Sequence, residues 1–157
     1  MIIFEIILGI IIAIGFYNLI HHFFVIIPNR KNQLIIKHRT DGAVQSILCV
    51  MSHNRWLTTS KVIINSSLLS QIWGRNIFAY DYKLALSFNS YQQLSRFKHE
   101  FQDLLTKYCF DHQLLIRGHN LLSIADVWSY NKHTHLDIAY RINSSTVDYL
   151  RDLKKCR

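Results

Sequence analysis

Residues 1–27 read MIIFEIILGIIIAIGFYNLIHHFFVII, and the character of this stretch sets the expectation for the rest of the chain. Between Ile6 and Tyr17 no side chain is charged or strongly polar. Roughly 20 apolar residues at about 1.5 Å each cross the hydrocarbon core of a bilayer, so the segment predicts a transmembrane helix over 1–27. A cleaved secretory signal would want a basic leader, a shorter apolar stretch and small residues at a cleavage site. Here the leader carries Glu5, and the stretch runs on into His21, His22, Phe23 and Phe24. A retained helix is the expectation.

Charge then sets orientation. Arg30, Lys31, Lys37 and Arg39 follow the helix closely and nothing basic precedes it. Basic residues beside a span stay on the cytoplasmic side. This predicts a single-pass protein of the inner (plasma) membrane, with the lipid bilayer as partner and the C-terminal domain cytoplasmic. The whole chain has 157 residues and a formal charge of +8. No tract of five or more basic residues occurs, so nucleic acid is not an expected partner. Cys49, Cys109 and Cys156 are far apart and lack both metal-ligand spacing and a disulfide framework.

Beyond the helix the texture changes twice. Residues 33–72 are rich in Ile, Val, Leu, Thr and Ser, with turn signals at Thr40-Asp41-Gly42 and Ser52-His53-Asn54. Several short strands are expected there. In Tyr82 to Phe88 the even positions are apolar, which predicts a half-buried strand. Ser90 with Gln93 forms a capping box opening a helix, along which Tyr91, Leu94, Phe97, Phe101, Leu104, Leu105 and Tyr108 share a face. Two strands follow, Leu122 to Tyr130 and a clean alternation at Leu136, Ile138, Tyr140 and Ile142, joined at Asn131-Lys132-His133. A last helix starts near Ser144 and Ser145, is expected to turn Val147, Leu150 and Leu153 inward, and ends in Lys154 and Lys155, well placed for its dipole. The predicted class is membrane α + β. A transmembrane helix spans 1–27, a small barrel-like β domain 28–75, and a ferredoxin-like α+β sandwich 76–157, its helices on one sheet face.

Asn18-Leu19 in the apolar helix, Pro28 at its end, Gly42-Ala43-Val44-Gln45-Ser46-Ile47 and Val62-Ile63-Ile64-Asn65-Ser66, in that order, resemble the family of small-conductance mechanosensitive channels. The unit after Asn76, with Trp128-Ser129 before its last strand, is similar to that family's C-terminal domain. The resemblance implies a pore helix in which Gly9, Ala13 and Gly15 let like subunits pack closely and Asn18 sits near a bend. Pro28, Gly42 and Asn65 would act at hinges and interfaces. It also implies a ring-shaped homo-oligomer that passes ions under membrane tension. The chain departs from the pattern in beginning at the pore helix, so a separate membrane protein supplying the missing helices is a further expected partner. The alternative is a non-conducting, membrane-anchored assembly subunit that uses the same oligomerisation module.

Catalysis finds little support. His133 and His135 flank Thr134, and period two puts both on one side, read as facing solvent, with no third ligand. Asp126, Asp137 and Asp148 show no partner arrangement, and no phosphate loop, nucleophile elbow or H-E-x-x-H occurs. No catalytic residue, metal or cofactor is expected, and the chain reads as not an enzyme.

Overall fold

A computed structural model describes residues 2–22, 27–53, 62–69, 77–88 and 90–155. Four helices are described: α1 (Ile2–His21), α2 (Ile27–His53), α3 (Tyr91–Asp111) and α4 (Ser144–Lys155). The strands are β1 (Ile63–Leu68), β2 (Ala79–Leu84), β3 (Leu115–Ile116), β4 (His119–Asn120), β5 (Leu122–Tyr130) and β6 (His133–Tyr140). The chain divides into two compact units, residues 1–36 and 37–157.

The membrane helix expected over 1–27 is corrected. The strictly apolar stretch of α1 lies between Glu5 and Asn18. At 1.5 Å per residue it covers roughly 18 Å, against the roughly 30 Å of a hydrocarbon core. Among the described residues no helix is long and apolar enough to cross a membrane. The membrane α + β class loses its basis with it, as does the single-pass inner-membrane location with a cytoplasmic C-terminal domain.

The barrel-like β domain expected over 28–75 is corrected as well. Its described part holds α2 and the single strand β1. Pro28 lies in the first turn of α2, where a missing N–H breaks no helical bond. Ile36, Thr40, Ala43, Val44, Ile47, Leu48 and Met51 are buried, and steps of three and four put them on one helical stripe. Thr40-Asp41-Gly42 lies inside the helix, where Lys37 and Asp41 form an i,i+4 ion pair at 2.7 Å. Ser52 and His53 end α2; Asn54 and Cys156 lie outside the described residues.

The main sheet has the order β1-β2-β6-β5 and is antiparallel throughout. Tyr80↔Ile138, Tyr82↔Leu136 and Leu136↔Val127 are cross-strand partners, so these side chains share one face. That face packs on the second half of α2, where Tyr82 donates its hydroxyl to Asp41 Oδ1 at 2.7 Å. It also packs on α3, which buries Phe97, Phe101, Leu105 and Cys109. Ser90 caps α3 as expected, its hydroxyl accepting from the Gln93 N–H at 3.2 Å.

The opposite face carries α4. Tyr149 sits there with Ala79, Ala139, Leu69 and Ile77 in a small core, with Leu150 and Leu153 packed against it. Asn143 is the cap, its Oδ1 accepting from the Thr146 N–H at 2.9 Å. Thr146 Oγ1 in turn accepts from the Phe78 N–H at 3.0 Å, which ties α4 to the entry of β2. Helices thus lie on both faces rather than on the one expected.

Candidate functional site

Helix α4 reaches only one end of its sheet face. Beyond Ala79 and Ala139 the strands continue, and the positions on that face become polar. Asp81 stands opposite Asp137 on β6, and Asp137 stands opposite Asp126 on β5. With neighbouring strands about 4.8 Å apart, three carboxyl-bearing residues stand abreast. The next row is Lys83 opposite His135, and His135 opposite Trp128. β1 adds Ser67 opposite Asp81 and Asn65 opposite Lys83.

The geometry within these rows is specific. His135 Nδ1 lies 3.0 and 3.1 Å from the two carboxylate oxygens of Asp81. A neutral imidazole donating Nδ1–H to Asp81 keeps Nε2 as its acceptor. The Trp128 indole stacks on the His135 ring, with centroids 4.9 Å apart and planes 9° from parallel.

Asp137 is buried, and its carboxyl is pushed up to about 8. Burial is the main cause, followed by the charge of Asp81 and a hydrogen bond with the Asp81 side chain. A protonated Asp137 therefore donates to the Asp81 carboxylate, which also takes the His135 N–H. The Asp137 Oδ1 is buried with no hydrogen-bond partner. Tyr149, reaching over from α4, has its phenol raised to about 12 by its own burial and then by the charge of Asp137.

On the other sheet face, α3 and β5 border a groove of about 660 Å³ lined by Tyr91, Lys98, His99, Gln102, Ile124 and Val127 among others. Its size falls in the range of small-molecule pockets.

The site residues expected from sequence do not gather here. Gly9, Ala13, Gly15 and Asn18 lie along α1, exposed, and a Cβ built on Gly9 or Gly15 meets nothing within 4 Å. Gly42 is on the exposed side of α2, with equally open space. Asn65 sits at an irregularity of β1, its Oδ1 accepting from the Ser66 N–H at 2.8 Å. Segment 42–47, expected as a strand, is helical.

His133 and His135 do share a face, but not an open one. His135 pairs with Asp81, and His133 Nδ1 is buried without a partner. The sequence reading missed Asp81, Lys83 and Trp128 as neighbours of Asp137. The available signal was parity: Asp81 and Lys83 on β2, like His135 and Asp137 on β6, put polar residues at alternate positions of strands whose other positions are apolar. Among the described residues no group of three or more His, Cys, Asp or Glu could hold a metal ion. No protein-family model, curated protein or solved structure matches this chain.

Proposed function

We propose that this protein is an assembly subunit. Copies associate through α1 into a homo-oligomer larger than a dimer, which displays the α+β unit in several copies. The observation that carries this reading is the surface of α1. Twelve of its large apolar side chains, from Phe4 to Ile20, are each between 47% and 72% exposed. Ile10, Ile11 and Ile12 are successive residues about 100° apart around the axis, so the apolar surface encircles the helix. Covering one such isoleucine contributes on the order of 1 kcal/mol, and an exposed patch of this extent drives association. A two-helix contact covers one stripe of each partner, hence the larger assembly. Gly9 and Ala13 permit close approach of neighbouring helices. The assembly needs no membrane span.

The test is cross-linking of the full-length protein followed by mass photometry, beside an Ile10→Asp/Ile14→Asp variant. Species above the dimer for the natural chain, collapsing to monomer in the variant, are expected. A natural chain that stays monomeric, or that enters liposomes as single copies, overturns the proposal.

A further inference from the structure

The groove between α3 and β5 lies within the unit of residues 37–157 and is built without α1. Both of its walls follow from local structure. β5 is an edge strand of the main sheet. The register shift between Ile124 and Asp126 makes Ile124 and Val127 successive residues on the face turned to α3, opposite Ile138 and Leu136. Such a bulge bends its strand and tightens the local twist, and the groove opens beside this one. On α3, Leu94, Ser95, Lys98, His99 and Gln102 recur at steps of three and four, so they share a stripe that flanks the buried Phe97 and Phe101.

The lining is amphipathic and of one sign. Ile124 and Val127 from the sheet and Leu94 from the helix are apolar, while Lys98 and His99 bring basic groups. None of the described lining residues is acidic: Glu100 and Asp103 of α3 fall outside the groove, and Asp126 stands opposite Asp137 on the other sheet face. Leu94 and Ile124 are only half-buried, so an apolar body laid on them removes further surface from water. We propose that this groove binds a free alkyl carboxylate of medium chain length, its chain on Leu94, Ile124 and Val127 and its head at Lys98 and His99.

Size, charge and donors select that class. The volume of about 660 Å³ suits a small organic ligand, and sites of this kind join an apolar lining to a few polar groups that fix orientation. One ammonium and one imidazole, with no guanidinium among the described lining residues, suit a single negative charge. A phosphate dianion is better held by the bidentate fork of arginine. Ser95 and Gln102 add neutral hydrogen-bonding groups beside the two basic ones.

Methyl NMR of the full chain titrated with octanoate tests the inference, because Ile124 and Val127 report on the groove separately from the isoleucines of α1. Their signals should move together along one saturable curve. Butyrate, four methylenes shorter, should bind more weakly by about tenfold or more, and octylammonium should leave both signals in place. Lys98→Gln should weaken octanoate several-fold. Arg96→Gln removes the same charge from α3 outside the groove and should leave binding unchanged, which separates a local contact from the pull of the net +8. Ser95→Trp sets a large ring in the groove from an exposed helix position and should abolish binding while the rest of the spectrum is kept. Unmoved Ile124 and Val127 signals, equal shifts with octylammonium, or equal weakening by Arg96→Gln overturn the site. Tighter binding of octyl phosphate, or of an acetylated Leu-Val-Ile peptide with a free C-terminus, overturns the assignment to a free alkyl carboxylate.

Discussion

Asp137 holds its proton to about pH 8, against 3.8 for an ordinary aspartate, mainly because burial disfavours its charge. The consequence for stability has a definite sign. Between those two values the native chain binds more protons than the unfolded one, so stability falls as pH rises from about 4 to about 8 and then levels off. Asp137→Asn keeps the shape and removes the ionisation. Urea unfolding at pH 5 should find the two proteins close. At pH 8.5 the variant should be the more stable, by roughly 1–3 kcal/mol. A natural chain equally stable at both pH values contradicts the assignment. A second residue-scale test lies in the β5–β6 turn, where Asn131 and Lys132 both have positive φ, at 48° and 63°. Two such residues form the turn type that favours Asn-Gly. Lys132→Gly should therefore raise stability by about 0.5–1 kcal/mol in thermal melts.

At the level of elements, most of the C-terminal half was legible, although the strand expected over Tyr82 to Phe88 runs over Ala79–Leu84 and the alternation expected to reach Ile142 ends at Tyr140. Ser90 with Gln93, the stripe from Phe97 to Leu105, the alternation from Leu136 to Tyr140 and the closing Lys154-Lys155 all describe what the structure contains. The stretch from 33 to 53 was misread because its composition and its spacing disagree. Isoleucine, valine and threonine favour strands, and Asp41-Gly42 looks like a turn, yet burial recurs at Ile36, Thr40, Ala43, Ile47 and Met51. Thr40 hid the stripe, being a polar residue fully buried within it. Tertiary packing on Tyr82 and Tyr140 decided the outcome over propensity. Gly42 distinguishes the two readings. On the exposed side of a helix, with open space for a Cβ, Gly42→Ala should stabilise by about 0.5–1 kcal/mol. At the corner of a strand turn the same change would destabilise, and a melting temperature that drops would return the segment to the β reading. The Asp81–Asp137–His135 cluster was illegible for a different reason. Asp81 lies more than fifty residues along the chain from His135 and Asp137, and only the pairing of β2 with β6 brings them together.

At the scale of the whole molecule, two halves of unlike character share one chain. The α+β unit buries its tyrosines and phenylalanines, while α1 leaves isoleucine on every side open. Folding of a single chain satisfies the first, and the proposed assembly through α1 covers the second. Assembly through α1 is bimolecular or higher in order, so its extent follows mass action. Sedimentation velocity across a hundredfold dilution, a range of about 2.7 kcal/mol in chemical potential, should therefore show the large species giving way to smaller ones. Circular dichroism of the sheet should stay constant meanwhile, because the core of residues 37–157 belongs to one chain. Ile10→Asp should move that transition to higher concentration by about tenfold or more, since an aspartate in an apolar contact forfeits the isoleucine's burial and adds its own desolvation. It should shift the melting temperature of the α+β unit very little. If dilution melts the sheet along with the assembly, the α+β unit draws its stability from neighbouring copies, and the division of labour between α1 and the rest of the chain fails.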